Sequence, residues 1–187
     1  MKTRDLAYVA LFAALTAVLG LVPAVDVGPV PITAQTLGVM LAGSVLGARR
    51  GFLALLLFLV LVAVGLPVLP GGRGGLAVFA GVTAGYLLAW PLGALVTGLV
   101  TERLWRRYSV AWGVVACVAG GIVVIYLVGV PVLAVFGHLS LREAVVAGAL
   151  PFLPGDAVKA VVAAAIAVQV RRSYPVIERP RRAVAAS

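Results

Sequence analysis

The chain has 187 residues, of which 63% are hydrophobic and only 11% are charged, and its formal net charge is +9. Soluble domains are about half apolar and about a quarter charged, so this composition excludes an ordinary cytosolic enzyme and a disordered chain. A single cysteine (Cys117) and a single histidine (His138) exclude a disulfide framework, a cysteine-rich zinc site and a histidine metal cluster within one chain. We therefore predict no metal site, and the apolar composition gives no indication of a catalytic one.

The charged residues separate six apolar windows of 20 to 30 residues. Each window is long enough for a helix that crosses a hydrocarbon core roughly 30 Å thick. We predict an all-α integral membrane protein with six transmembrane helices. In chain order these helices cover 6–22, 33–48, 52–66, 77–101, 110–136 and a last segment that ends at Val170.

The basic residues are distributed unequally between the two sides of the predicted bundle. Twelve of the 15 lie before the first helix, between the second and third, between the fourth and fifth, or after the last. The opposite side has only Arg73 and Arg142, and this pattern favours a membrane protein over a nucleic-acid binder. The positive-inside rule then places both termini in the cytoplasm. Residues 1–170 form the predicted transmembrane domain, and 171–187 form a basic cytoplasmic tail that is mobile or lies on anionic lipid.

The first predicted helix carries four alanines at the spacing of close helix packing. They form two pairs four residues apart, Ala10 with Ala14 and Ala13 with Ala17. The pattern is equally typical of packing within the bundle and of a strip that another protein's helix approaches.

Three polar segments lie near the predicted outer ends of the helices. Thr33 and Gln35 lie at the start of the second predicted helix, where they either cap it or help to form a lid over a site. Arg73 is flanked by four glycines, which indicates either a flexible surface loop or a backbone that approaches a ligand closely while the arginine meets an anion. Thr83 and Tyr86 stand among small residues, which favour helix packing, although their hydroxyls could also face a cavity.

Asp156 and Lys159 are the charged residues within an otherwise apolar window. Their spacing places them on one face of a helix that begins near Pro154. A structural interpretation is that the pair neutralises itself, with the acid favoured by the helix dipole. Ionisable groups within a membrane usually mark a ligand or ion path, however. Together they suit a ligand with N–H donors and a carbonyl or carboxylate acceptor.

Four segments together resemble the BioY family, the biotin-specific substrate-binding (S) component of energy-coupling factor (ECF) transporters. The segments are QTLGVMLAGSVLG at 35–47, GLPVLPGGRGG at 65–75, GVTAGYLL at 81–88 and PFLPGDAVKA at 151–160. The last is the most specific, because Pro-Gly-Asp-x-x-Lys is rare within an apolar span. The resemblance extends from about residue 7 to 170, and it departs from the family at 82–84, where Val-Thr-Ala stands in place of Pro-Thr-Gly.

This resemblance implies a six-helix S-component fold that binds biotin from outside and is not an enzyme. It implies that Asp156 accepts from the ureido N–H groups, while Lys159 donates either to the ureido oxygen or to the valerate carboxylate. Further ligand-binding candidates are Thr33, Gln35, Arg73, Thr83 and Tyr86. Biotin is the expected ligand, with no cofactor.

The resemblance also implies partners in a prokaryotic cell membrane. The alanine strip of the first helix resembles the surface that S components present to the transmembrane coupling (T) subunit, and two cytoplasmic ATPase subunits would drive transport. The chain itself has no Walker motif, so it cannot hydrolyse ATP. Whether it forms a homo-oligomer is left open.

Two other classes of membrane protein are weaker alternatives. A lipid-modifying enzyme usually needs several carboxylates or a nucleophile with its base, and Asp156 is the only carboxylate within a predicted span. An ion-coupled carrier would need a titratable relay through the inner half of the membrane, where residues 160–170 offer only Gln169.

Overall fold

The computed structural model describes residues 2–26, 29–174 and 176–177, and most of them belong to one bundle of helices. The helices are α1 (Thr3–Leu19), α2 (Gln35–Leu46), α3 (Ala48–Ala63), α4 (Ala84–Arg103), α5 (Val110–Val118), α6 (Ile125–Phe136), α7 (Leu141–Gly148) and α8 (Leu153–Ser173). A π-helical turn, Ala119–Val124, joins α5 to α6. Short 3-10 turns cover Leu76–Ala80 and Trp105–Arg107. Between α1 and α2, strand β1 (Val25–Asp26) pairs antiparallel with β2 (Pro31–Ile32).

Within the part of the chain that the structure describes, three helical segments are long and apolar enough to cross a membrane: Ala84–Arg103, Val110–Phe136 and Leu153–Ser173. The bounds of the second agree with the predicted fifth span. Helices α1, α2 and α3 are shorter, with 17, 12 and 16 residues. The count of six spans and their orientation therefore remain predictions.

Several elements differ from the sequence-based expectation. Helices α1 and α3 begin at Thr3 and Ala48, three and four residues earlier than predicted, and both also end three residues earlier. The β1–β2 pair was not expected.

Helix α4 begins at Ala84 rather than at residue 77, because residues 76–80 form a separate 3-10 turn. The short helix α7 was not expected, and it begins with a capping box in which Ser140 and Glu143 bond each other's backbone N–H. His138, just before it, is exposed as predicted.

A tight reversal at Gly47 connects α2 to α3. Its φ of +84° lies in the left-handed region that favours glycine, and a Cβ there would overlap the carboxylate of Glu102. The same carboxylate accepts the backbone N–H of Ala48 at 2.7 Å. Glu102 of α4 therefore caps the start of α3 and fixes α4 against this reversal.

Small residues bring α4 close to its neighbours, as is common in membrane bundles. A Cβ at Gly98 would overlap the backbone of Ala48 on α3, and one at Gly120 would overlap the carbonyl of Gly93 on α4. Larger side chains fill the remaining core, and the biggest fully buried ones are Met40, Leu55, Phe58, Ile125 and Leu133. Cys117 is also fully buried, as expected for a small core residue.

We call the end of the bundle that carries Lys2, Arg49 and Arg103 the basic end, and the opposite end the loop end. At the basic end, Arg50 forms an ion pair of 2.9 Å with Asp5 of α1. Its guanidinium also donates to the backbone carbonyl of Val176 at 3.0 Å.

Part of the predicted tail packs against this end of the bundle. Val176 and Ile177 are both buried, so the chain is held against the protein at this point rather than being mobile or lying on lipid. Residues 171–173 of the predicted tail continue α8, whereas residue 175 and residues 178–187, including Arg179, Arg181 and Arg182, lie outside the described residues.

The four alanines of α1 do not share one exposed surface. Ala10 and Ala14 are exposed, whereas Ala17 is half-buried and Ala13 is only 1% exposed. The expectation of a four-residue strip is wrong for Ala13, which packs inside the bundle. The exposed pair, Ala10 with Ala14, still forms a smooth step on the outer face of α1.

Candidate ligand-binding site

A partly enclosed cavity opens at the loop end of the bundle. Its lining is mostly apolar with a few convergent polar groups, as is typical of a small-molecule site. All seven residues predicted to bind ligand line it: Thr33, Gln35, Arg73, Thr83, Tyr86, Asp156 and Lys159. Apolar side chains supply much of the remaining wall, among them Leu87, Trp90, Ile125 and Phe152.

The Asp156–Lys159 pair forms the polar centre of this cavity. Helix α8 begins at Leu153 with Pro154 in its first turn, so Asp156 also lies in that turn and its carboxylate is favoured by the helix dipole. The Lys159 Nζ atom is 2.9 Å from Asp156 Oδ1. Asp156 is only 3% exposed, so the carboxylate depends on protein partners rather than water.

All three N–H groups of the Lys159 ammonium already have acceptors. They donate to the Thr33 carbonyl at 2.6 Å, to Thr36 Oγ1 at 2.9 Å and to Asp156 Oδ1. The positive charge is therefore held in place by α2 and the segment before it. A ligand acceptor can reach this amine only by displacing one of these partners.

Two residues that sequence reasoning missed complete the network around the carboxylate. The Tyr126 hydroxyl donates to Asp156 Oδ2 at 2.5 Å, and the Thr36 hydroxyl donates to Oδ1 at 3.1 Å. Nothing in the sequence marks Tyr126 as a residue of the site, because it lies among apolar residues that are typical of an ordinary transmembrane helix. Thr36 could have been considered, since it follows Gln35 within the motif at 35–47.

Gln35 neither caps α2 nor acts as a surface lid. The cap position is Ala34, which has no side-chain cap, and Gln35 is fully buried. Its amide donates to the carbonyl of Thr16 near the end of α1 at 3.0 Å and to the carbonyl of Val68 after α3 at 3.1 Å. Its Oε1 atom has no hydrogen-bond partner among the described residues, and this leaves a buried acceptor in a residue that lines the cavity.

Tyr86 lines the cavity, but its hydroxyl is used elsewhere. It donates to the backbone carbonyl of Gly148 on α7 at 2.8 Å, so the ring rather than the hydroxyl is available to a ligand. The tyrosine ring also packs edge-on against Tyr126, with centroids 6.4 Å apart. Thr83 lies just before α4, next to this aromatic wall.

Arg73 is the second cation in the described lining of the cavity. Its Nε donates to the carbonyl of Pro70 at 3.2 Å, which holds the side chain against its own loop. Gly71, Gly72 and Gly75 in this loop all have positive φ, a conformation that other residues rarely adopt. The glycines therefore shape the turn that brings Arg73 to the cavity.

The cavity combines polar and apolar groups that can bind a ligand. It offers an anchored ammonium, a carboxylate that already accepts three hydrogen bonds, an unpaired amide oxygen and an arginine, all against apolar walls. Such a site suits a small, partly apolar ligand with two or more N–H donors and a separate acidic group.

Three comparisons with known proteins agree with one another. The sequence model of the BioY family matches residues 1–176. The chain is 52% identical to the biotin transporter BioY of Rhizobium etli, over 98% of this chain and 100% of that protein. It is 47% identical to the biotin transporter BioY of Rhodobacter capsulatus, over 92% of this chain and 95% of that protein.

A solved structure supports the same relationship. The fold matches a crystal structure of the S-component for biotin from an ECF-type ABC transporter with a TM-score of 0.86 and 32% sequence identity. The match covers 92% of this chain and 95% of the other. The family match over nearly the whole chain, the identity to the relatives and the shared fold establish that this membrane protein belongs to the BioY family.

Proposed function

We propose that this chain is the substrate-binding S component of an ECF-type transporter and that it binds biotin in the cavity at the loop end. The observation that carries the proposal is the largely buried Asp156–Lys159 pair in the lining of this cavity. Relatives named as biotin transporters and the matching fold of a biotin S-component support the choice of ligand.

The polar groups of biotin match the hydrogen-bond acceptors and the cation that remain available in the site. A ureido group has two N–H donors, and two acceptors with spare lone pairs line the cavity: the Asp156 carboxylate and the unpaired Oε1 of Gln35. The valerate carboxylate needs a cation. Since Lys159 already donates three hydrogen bonds, Arg73 is the better counter-charge for it. The fused rings then lie against Trp90 and Tyr86.

The transport assembly follows from the family. The basic end faces the cytoplasm, six helices cross the cell membrane of a prokaryote, and the cavity opens outward. The exposed Ala10–Ala14 step on α1 supports a contact with a transmembrane T subunit, because small residues let a second helix approach closely. Two cytoplasmic ATPase subunits supply the energy.

Isothermal titration of the purified, ligand-depleted protein with biotin tests the proposal. We expect one biotin per chain. Asp156→Asn and Lys159→Ala should each weaken binding by about 2 kcal/mol, as for the loss of one partner from a buried charged contact. Arg172→Ala is the matched control, since Arg172 is exposed at the basic end.

Two outcomes would contradict different parts of the proposal. If both variants bind biotin like the parent protein, the site is assigned wrongly. If the folded parent protein binds no biotin, the proposed ligand is wrong.

A further inference from the structure

A second cavity lies on the outside of the bundle, between α6 and α7. We call it the α6–α7 groove, and it is widely open to the outside of the bundle. Besides one tyrosine ring its lining is entirely apolar, and includes Val123, Leu127, Val130, Leu141 and Val145. Leu127 is 69% exposed, so the protein itself does not cover this surface.

The groove and the ligand cavity share one wall. Tyr126 lines both of them. Its hydroxyl reaches Asp156 inside the bundle, while its ring also borders the outer groove. The π-helical turn just before it, Ala119–Val124, changes the phase of the helix. Ile125 and Tyr126 therefore line the ligand cavity, while Val123 and Leu127 line the groove.

The position of the groove identifies its occupant as an acyl chain. It lies along the apolar span Val110–Phe136, whose most hydrophobic window is only 39% buried inside the protein. In a membrane the remaining surface meets hydrocarbon. Val123 lies near the middle of this span and Leu141 beyond its end, so the groove runs from mid-membrane toward one surface.

The described lining of the groove includes no cation, and the nearest one in sequence, Arg142, lines a separate pocket on the surface of α7. Arg142 follows Leu141 at the start of α7 and is exposed, and its guanidinium has no partner among the described residues. The neighbouring carboxylate of Glu143 is engaged by Ser140. A free guanidinium at the level of the lipid headgroups complements a phosphate.

We propose that a phospholipid binds here, with an acyl chain in the α6–α7 groove and its phosphate beside Arg142. The bound chain supports the Tyr126 ring, so that the lipid and the ligand in the cavity bind cooperatively. The lipid site does not depend on the proposed function, whereas the coupling to the pocket rests on it. Cooperativity follows because both ligands stabilise the same position of Tyr126.

Photo-crosslinking tests the lipid site. Detergent-solubilised protein is titrated with phosphatidylglycerol that carries a diazirine in one acyl chain, and the modified peptides are mapped by mass spectrometry. We expect modification of 123–131 and 141–149 at roughly fivefold lower lipid concentration than modification of the exposed face of α8 around Val158 and Val161. Equal modification of both faces, or a cross-link from the groove to a second copy of the chain, would overturn the proposal.

Two pairs of variants make the test specific. Val145→Trp fills the groove and should abolish its preferential modification, whereas Val161→Trp adds the same side chain to exposed α8 and should not. Arg142→Gln should raise the concentration of phosphatidylglycerol probe that gives half-maximal labelling of the groove. It should not raise that concentration for an uncharged diacylglycerol that carries the same diazirine. An equal effect on both probes would refute the phosphate contact.

Biotin tests the coupling separately. Saturating biotin should lower the lipid concentration that gives half-maximal labelling of the groove by about fivefold, because coupling between two binding sites is reciprocal. If groove labelling persists and biotin binds but leaves that concentration unchanged, the coupling is refuted and the lipid site stands. If the protein binds no biotin at all, the proposed function fails, while the labelling without biotin still decides the lipid site.

Discussion

The Nζ atom of Lys159 lies 2.9 Å from Oδ1 of Asp156, one turn earlier on the same helix, and both side chains are largely withdrawn from solvent. Removing one partner leaves the other charge buried and uncompensated, which costs about 3–5 kcal/mol. We expect Asp156→Asn and Lys159→Met each to lower the unfolding temperature of the ligand-free protein. The double variant should lose less than the sum of the two, as measured by thermal unfolding in detergent. Strictly additive losses would show that the two charges are independent.

The amide of Gln35 joins α1 to the segment after α3 through the carbonyls of Thr16 and Val68. In Gln35→Met both carbonyls lose their donor without a large change in side-chain volume. Each unsatisfied group costs about 1–3 kcal/mol, so we expect a clear loss of stability and faster hydrogen exchange in residues 66–75. Gln169→Met is the control, because Gln169 is exposed. Equal stability of the two variants would mean that the Gln35 contacts contribute little.

The contact between α4 and the start of α3 leaves no space for a side chain at Gly98. Alanine favours a helix over glycine by about 1 kcal/mol, so Gly98→Ala would stabilise an isolated helix. Here the methyl group meets the backbone of Ala48, and we expect a net destabilisation of about 1–3 kcal/mol from overpacking. Gly81→Ala should be nearly neutral, since a Cβ there meets nothing within 4 Å. Chemical unfolding of both variants checks the sign.

Helix α7 begins with a capping box, and the carboxyl group of this box, Glu143, has a shifted pKa. Hydrogen bonds from the Ser140 hydroxyl and backbone N–H lower the pKa of Glu143 below its usual value. A lowered pKa in the folded protein means that the cap stabilises the helix above the ordinary carboxyl pKa of about 4.3 and is lost as the pH falls through the lowered value. We expect the amides of 141–148 to lose protection at acid pH, after correction for intrinsic exchange rates.

The control for this titration is Glu143→Gln, which removes the ionisable group. Protection of α7 in that variant should vary little over the same acid range. If wild type and Glu143→Gln show the same acid-induced loss of protection, another group is responsible.

Much of the helix pattern could be predicted from the charges alone. The span Val110–Phe136 has the bounds that the sequence indicates, because an uncharged window permits a continuous helix and a polar segment ends it. The start of α8 also agrees, because proline is favoured in a first turn. Helix α7 could not be predicted, since eight residues in a connecting segment give a weak periodic signal.

The candidate site was predictable only where a residue is unusual for its surroundings. Asp156 and Lys159 are conspicuous as charges in an apolar window. Tyr126 and the buried contacts of Gln35 depend instead on how α6, α2 and α1 pack, and no local pattern specifies that packing. The same limitation applies to Ala13, whose spacing does not distinguish the interior of the bundle from its surface.

Cys117 is the only cysteine in the chain and is fully buried in the core. A thiol-reactive dye or spin label added to the folded protein therefore has little access to it. New cysteines at exposed positions can be labelled selectively without first replacing a native residue. Distances between the loop end and the basic end can thus be followed by fluorescence or electron paramagnetic resonance in an otherwise unaltered molecule.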